Sequence, residues 1–294
     1  MSGAQCCVAV QGRFTQSPGV GDAERASAVA ELRQLLAAGS VFALTGAGVS
    51  TDSGIPDYRD ERGGWKGRQP VQYRDFVASD LVRRRYWARS MLGFPLMTRA
   101  QPNAAHHALA RLESESRVSL LVTQNVDGLH RRAGSETVVD LHGRLDQVRC
   151  LACGALTERA ALQSELVGRN PDFASADAVI RPDGDAELSD VDCQHFDIPA
   201  CSACGGILKP HVVFFGENVP IERVQPAMAA LERAKLLLIT GTSLMVFSGF
   251  RFARAAVRFG VPIAIVNRGM TRADELAKLK IAGNVGEILS EVTR

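Results

Sequence analysis

The chain of 294 residues predicts an α/β fold, a doubly wound parallel sheet with a second, smaller unit attached. Three observations carry this expectation. Short apolar runs at 41–44, 119–123, 138–141, 212–215, 236–240 and 262–267 alternate with segments of helical spacing, as strands and crossover helices do. Several runs empty into clusters of Gly, Ser, Thr, Asn and Asp, which is where ligands bind at the carboxyl ends of parallel strands. Two Cys-x-x-Cys pairs bracket a single insertion and mark the smaller unit.

Composition sets the outer limits. At 46% hydrophobic residues the chain can bury a substantial core and suits one large domain with a smaller module. The net charge of +2 comes from 34 basic and 32 acidic residues spread along the chain, so no electrostatic footprint for nucleic acid or a membrane surface is expected. No run approaches the ~20 apolar residues of a membrane span, and the N-terminus lacks a charged region followed by an apolar one. Residues 1–21 read as a disordered lead-in. A cytoplasmic location is expected, mitochondrial only for a eukaryotic source, since a presequence would be richer in Arg. With no export signal, seven Cys point to metal ligation over disulfides.

In chain order, residues 23–38 carry apolar side chains at helical spacing and end at Gly39, a C-cap residue. The strand at 41–44 follows, and Gly46 and Gly48 then supply the tight turn and close backbone approach that a dinucleotide's phosphates require. The dehydrogenase fingerprint is incomplete, because Thr51 stands where a third Gly belongs, so an ordinary turn stays open at this point. Residues 63–69 are polar and Gly-rich; 74–97 hold two helical patterns, and the stretch 62–100 reads as a helical lid. An amphipathic helix is expected at 103–113.

The strand at 119–123 ends in Gln124, Asn125, Val126, Asp127 and Gly128, and the strand at 138–141 ends in His142 and Gly143. Thr240 to Ser243 and Asn267 to Gly269 repeat the theme of small polar groups after an apolar run. Singly each is an ordinary cap or turn; converging on one crevice they make a nucleotide cradle. A lone His after a strand is commonly structural, so His142 by itself stays open.

Cys150-x-x-Cys153 and Cys201-x-x-Cys204 each turn two sulfurs toward one point, and Gly154 and Gly205 ease the turn after each pair. Four thiolates satisfy a tetrahedral zinc ion and leave no position for water or substrate, so one structural zinc is expected; a redox or merely buried Cys pair is the alternative. Between the pairs a helix is expected at 158–168, then an Asp-, Pro- and Gly-rich loop at 170–199. A zinc ribbon that binds nucleic acid is the competing function, but Asp172, Asp177, Asp183, Asp185, Glu187, Asp190 and Asp192 would repel phosphate.

With these features in place the chain resembles the sirtuins, NAD-dependent protein-lysine deacylases. GAGVSTDSGIPDYR, TQNVDGLH, LHG, KPHVVFFGE and GTSL occur in family order from about residue 24 onward. The resemblance implies a Rossmann-like NAD-binding domain over 22–145 and 208–294, with 62–100 inserted as the lid and 146–207 as the zinc module. It places Gly46, Ala47 and Gly48 at the NAD diphosphate, and Asp57, Tyr58 and Arg59 over the nicotinamide side. Gln124, Asn125 and Asp127 would hold the nicotinamide ribose and carboxamide, with the Ile55 backbone reading the amide. Gly241, Thr242, Ser243, Asn267, Arg268 and Val285 would surround the adenosine half, and Val213, Phe215, Gly216 and Glu217 would border the groove where an acylated-lysine peptide adds as an extended strand.

The implied chemistry is departure of nicotinamide as the acyl oxygen takes the anomeric carbon, with Asn125 and His142 as catalytic residues and His142 the general base on the ribose hydroxyls. The products are nicotinamide, 2′-O-acyl-ADP-ribose and free lysine; protein mono-ADP-ribosylation is the alternative outcome. Tyr58, the RYWAR segment and the insertion with PDGDAELS are most similar to the class II, mitochondrial-type branch. Tyr86 and Arg89 are similar to the pair with which class III members hold an acyl carboxylate, and an Arg fork suits that task; packing under the lid is the equal alternative. Tyr58, where Phe is common, and His211, where an acid or amide is common, depart from the pattern. The oligomeric state is left open.

Overall fold

The computed structural model describes residues 20–66, 70–173, 179–180, 186–187 and 193–294. All but the last two residues of the expected lead-in, residues 67–69, and most of the acidic loop with PDGDAELS lie outside them. The chain enters through helix α1 (Val20–Ala37), which starts inside the expected lead-in, and Gly39 with φ +67° turns it into strand β1 (Val41–Thr45). Helices α2 (Tyr73–Ala78), α3 (Asp80–Arg99) and α4 (Ala104–Ser114) follow, then β2 (Val118–Thr123), the single turn α5 (Leu129–Arg132) and β3 (Val138–Asp140). The smaller unit contains β4 (Gly143–Cys150), β5 (Leu156–Glu158), α6 (Arg159–Arg169), the two-residue strands β6 (Val179–Ile180) and β7 (Ala186–Glu187), and β8 (Leu208–Val212). The chain ends with α7 (Ile221–Glu232), β9 (Leu236–Thr240), α8 (Phe247–Phe259), β10 (Ile263–Val266), β11 (Leu279–Ile281) and α9 (Val285–Val292).

Six of these strands form one parallel sheet in the order β11-β10-β9-β1-β2-β3. Every residue of β1 and β9 is buried, as expected of parallel strands covered on both faces. Alternation along β1 sorts the two faces. Val41 and Ala43 join Leu32, Leu36, Leu109, Leu112 and Leu289 under α1, α4 and α9, whereas Phe42 and Leu44 join Leu231, Ile239, Phe252 and Ala256 under α7 and α8. The chain leaves β1 toward β2 and β3 and returns to β9 on its other side, so the topological switch point lies beside β1. Thr45 pairs with Thr123 and with Thr240, Thr240 with Val266, and Thr123 with Asp140. That register brings the carboxyl ends of five strands to one level.

One expected element differs. The apolar run 212–215 is not a strand of the parallel sheet: its strand is β8, which ends at Val212 and pairs antiparallel with β4, itself paired with β5. Beyond Val212 the backbone turns to other partners. Val213 N–H donates to His142 O at 2.7 Å, Phe214 N–H to the Glu217 carboxylate at 2.9 Å, and Phe215 O accepts from Tyr73 N at 2.9 Å. Strand β11 and helices α7 and α9 carried no sequence expectation; β11 is three residues long, below what periodicity resolves.

The smaller unit packs through Phe76, Tyr86, Trp87, Leu162, Leu166, Phe196 and Phe214. Trp87 Nε1 donates to Leu208 O at 3.3 Å, tying α3 to β8. Arg159, 1% exposed, lies 4.4 Å from the Phe94 ring and donates to Ser90 O at 3.2 Å, tying α6 to α3; burial lowers its pKa to about 10.

Candidate active site

A cavity of about 710 Å³ opens over the aligned strand ends, between the sheet and the α2–α3 side, within the size range of small-molecule sites. Its floor is built from interlocking glycines. Gly46 N donates to Thr240 O at 3.2 Å and Gly48 N to Gly241 O at 2.8 Å. A Cβ on Gly46 would meet Thr242 Cβ at 2.6 Å, and one on Gly241, whose φ is +58°, would meet Val49 N at 2.5 Å. The loop after β1 then coils as two short 3₁₀ turns, Ala47–Val49 and Thr51–Ser53. Thr51 has its own use where the fingerprint wants Gly: its hydroxyl donates to Gly48 O at 3.1 Å and closes the first turn.

A polar relay links this loop to the end of β2. Asn125 Nδ2 donates to Gly46 O at 3.1 Å and to Ser50 Oγ at 3.0 Å, so the Ser50 hydroxyl is left to donate to Asp127 Oδ2 at 2.7 Å. Asp127 Oδ1 accepts from Leu129 N at 2.9 Å, and burial holds its carboxyl above the usual range. Gln124 Nε2 donates to Thr242 Oγ1 at 3.0 Å, and its side chain lies where a Cβ on Gly249 would be, 2.4 Å from Oε1. Ser50 was not expected as a site residue; hydroxyls are too frequent in loops to single one out.

His142 follows β3 and lines the cavity. Its Nδ1 lies 2.9 Å from Gln124 O and its Nε2 2.7 Å from Ser248 Oγ. A carbonyl can only accept, so Nδ1 carries the proton of the neutral ring and Nε2 holds the lone pair, with the Ser248 hydroxyl donating to it. Burial lowers the pKa to about 4 against the opposing Gln124 bond, with Arg223 and Arg251 lowering it further. At neutral pH the imidazole is therefore uncharged, with its lone pair at Nε2. Ser248, 8% exposed in the first turn of α8, also had no signal in the sequence.

The roof is the segment 55–66. Asp57 pairs with Lys66, Arg59 stacks 4.0 Å from the Trp65 ring centre and donates to Gly63 O at 2.7 Å, and Tyr58 and Trp65 meet Phe215 edge-on at 6.4 and 5.6 Å. Tyr58 thus joins an aromatic cluster over the groove through its ring, as a Phe would. Asn267 donates to Gly269 O at 2.9 Å, and Met270 N donates to Glu61 O at 2.9 Å, joining the roof to the end of β10. Val285 opens α9 behind Asn284, whose side chain accepts from Glu287 N as N-cap.

The structure brings together at this cavity His142, Asn125, Gly46, Ala47, Gly48, Ile55, Asp57, Tyr58, Arg59, Gln124, Asp127, Gly241, Thr242, Ser243, Asn267, Arg268, Val285, Tyr86, Val213, Phe215, Gly216 and Glu217. Arg89 is not among the lining residues. Tyr86, 3% exposed, is held among Phe76, Trp87 and Phe214 at 5.5, 5.4 and 5.2 Å. The wall beneath Phe214 is set by Lys209, whose Nζ lies 3.0 Å from Glu217 Oε2 and 4.5 Å from the Phe214 ring centre. His211 accepts at Nε2 from Arg223 at 3.0 Å and so donates from Nδ1 to Gln147 Oε1 at 3.0 Å; it is a neutral link between β8, β4 and α7. An acid there would pair with Arg223, whereas His leaves the Arg223 charge to lower the His142 pKa.

The four thiols gather at one point. All the sulfurs of Cys150, Cys153, Cys201 and Cys204 lie within 4.8 Å of one another, with Cys150 and Cys204 3.5 Å apart and Cys153 and Cys201 3.8 Å apart. A tetrahedron with bonds of about 2.3 Å has edges of about 3.8 Å, so the set fits one zinc ion with no open position. Backbone N–H groups, that of Cys153 foremost, lower the Cys150 thiol to about 6. Gly206 is required beside it, because a Cβ there would lie 2.8 Å from Cys150 Sγ.

A parallel sheet with a cavity over its switch point, joined to a closed four-thiol module that fits zinc, defines an α/β protein of the nucleotide-binding kind. Residues 46–248 match the model of the Sir2 family, and the chain belongs to that family. It is 55% identical over 250 residues to an NAD-dependent protein deacetylase of Xanthomonas axonopodis, covering 85% of each chain. It is 56% identical over 241 residues to NAD-dependent protein deacetylase 2 of Bradyrhizobium diazoefficiens, covering 82% of this chain and 88% of the relative. Among solved structures, a Sir2 complex with p53 peptide and NAD+ aligns with a TM-score of 0.72 at 31% identity, covering 89% of this chain and 95% of the other.

Proposed function

We propose that the protein is an NAD-dependent protein-lysine deacylase that releases nicotinamide, 2′-O-acyl-ADP-ribose and free lysine. The observation that carries the mechanism is the His142 ring, neutral with its lone pair at Nε2, in the wall of the cavity that holds the glycine loop. Bound NAD would supply the anomeric carbon and the nicotinamide leaving group. The chain's own residues do the rest. Gly46, Ala47 and Gly48 let the backbone approach the diphosphate, and Thr242, Ser243, Asn267, Arg268 and Val285 frame the adenosine half.

Asn125 and Asp127, locked through Ser50, present fixed polar groups to the ribose and carboxamide with no reorganisation left to make. His142 Nε2 takes the proton of a ribose hydroxyl; the Gln124 carbonyl keeps Nδ1 protonated, so the ring cannot turn its wrong nitrogen to the substrate. The aromatic roof of Tyr58, Trp65 and Phe215 excludes water from the reacting face. The four-cysteine module holds zinc and takes no part in the chemistry, since its tetrahedron is closed.

For the division of labour the reading keeps the sequence expectation: residues 22–145 and 208–294 would hold NAD, 62–100 would cover it, and 146–207 would carry zinc. Tyr58 and the RYWAR segment support placement in the class II branch. For the acyl group, Arg89 is absent from the cavity wall while Tyr86, Val71 and Phe214 line it, which supports an apolar acyl tail over a carboxylate clamp. Among the described residues no helix is long and apolar enough to cross a membrane.

The test is nicotinamide release from NAD with a panel of acyl-lysine peptides. Release should require an acyl-lysine peptide and vanish in His142→Ala; full activity in that variant, or label from NAD left covalently on protein in place of a free acyl ester, sinks the mechanism.

A further inference from the structure

Helix α8 enters the cavity wall with three residues on it, Phe247, Ser248 and Arg251. Ser248 is engaged by His142, and Phe247 is 51% exposed at the rim. Arg251, one turn on, lines the cavity together with Arg59, which stacks on Trp65, Lys66, which pairs with Asp57, and the exposed Arg268. Among the described residues no carboxylate lies in ion-pair range of Arg251; its guanidinium carbon is 5.5 Å from the Phe247 ring centre, and its Nε is buried without a hydrogen-bond partner. Arg251 lines the same cavity as His142, one turn along α8 from the Ser248 that His142 engages.

An unpaired cation beside a base is costly to keep. It depresses the base's proton affinity, and its buried Nε has no hydrogen-bond partner. An anion beside the guanidinium offsets the charge. The glycine loop expected to face the NAD diphosphate packs on Gly241 and Thr242, at the opposite end of the segment that leads into α8. Arg251 instead shares the wall with the exposed Phe247. The positive N-terminal end of α8 adds to the same field.

We propose that Arg251 is a specificity residue that pairs with an acidic side chain of the substrate protein, placed in the extended segment flanking the acyl-lysine. The proposal rests on the deacylase reading and adds a sequence preference to it: acyl-lysines with Asp or Glu nearby are favoured. Phe247 supplies the apolar flank against which the acid's methylene groups lie, and Arg251 supplies a fork of N–H donors that matches a carboxylate.

The experiment measures binding by fluorescence anisotropy with the whole zinc-loaded protein and no NAD. Acetyl-lysine peptides carry Glu, Gln or Lys in turn at each of the three positions on either side of the modified lysine. At one position Glu should bind about fivefold tighter than Gln, the size of a partly exposed ion pair, and the ratio should shrink with added salt. Arg251→Gln should bring the ratio to one, and Arg251→Glu should turn the preference toward Lys, which a merely unfolded variant cannot do. The proposal is overturned if no position distinguishes Glu from Gln, if the preference survives in Arg251→Gln, or if that variant loses NAD affinity while its peptide preferences stay unchanged. Unmodified-lysine peptides separate the two readings: no gain from the acetyl group refutes the deacylase reading itself, whereas acetyl-dependent binding without an acid preference refutes only the role of Arg251.

Discussion

His106 makes the stability of the sheet layer depend on acidity in a way that can be worked out in advance. It sits in the first turn of α4, where its Nδ1 accepts the Asn103 N–H at 3.2 Å as half of a capping box. Nε2 therefore carries the proton of the neutral ring. The ring is buried, its centre 4.8 Å from that of His130, and burial first, then the charge of His107, lowers its pKa to about 4. In the unfolded chain the value is about 6.5.

Between those values the unfolded chain binds a proton that the folded one refuses, so the stabilising contribution is complete above pH 6.5 and is lost as pH falls toward 4. Taken from pH 7 to pH 5, the loss from this one ring is about 2 kcal/mol. His106→Gln retains an N3 acceptor for the cap and removes the titration. Urea unfolding followed by circular dichroism at both pH values should show the native protein losing about 2 kcal/mol more than the variant. Asp127 and Asp140, whose buried carboxyls are raised and contribute with the opposite sign, cancel in this difference. Equal losses, within about 0.5 kcal/mol, would refute the reasoning.

Four further outcomes are expected. With the His142 pKa at about 4, kcat/KM should show no inflection near 6.5, its acid limb appearing only below about pH 5, and His142→Ala should lower it at least about 100-fold, both read from nicotinamide release. Gly206→Ala pushes a methyl onto Cys150 Sγ and should weaken zinc about tenfold or more in a chelator competition, with tryptophan emission tracking loss of the smaller unit's packing. Lys209→Met leaves the Glu217 carboxylate partly buried beside Phe214 and should cost about 3 kcal/mol in urea unfolding, most of it recovered in the double variant with Glu217→Gln. Arg89→Met should lower activity on acidic and neutral acyl groups alike; a loss confined to succinyl-type substrates would restore the carboxylate clamp.

Much of the site was legible because its residues are tied to local rules. A strand followed by small polar groups marks a carboxyl end wherever it occurs, and two Cys-x-x-Cys pairs carry their own ligand geometry, so Gly46, Gln124, His142, Thr242 and the four cysteines could be named from spacing alone or from motif order. Ser50 and Ser248 could not. Each works through a partner far along the chain, Ser248 through His142 more than a hundred residues before it, and a single Ser carries no sign of such a partner. His211 was visible as a departure from the motif, and its reason appeared only with Arg223 and Gln147 around it.

What the sequence by itself determined is the set of elements and the chemistry at their ends, because apolar periodicity reports which residues must leave water. Which strand lies beside which is another matter. The run at 212–215 has the same apolar character as β9, yet β9 is central in the parallel sheet while β8 joins the antiparallel one and releases Val213, Phe214 and Phe215 to the cavity wall. Tyr86 and Arg89 are three residues apart on one helix, and only the first lines the cavity, since each side chain's direction is set by what α3 packs against. Pairing, register and side-chain direction are settled by contacts between distant segments, and only the tertiary structure decided them.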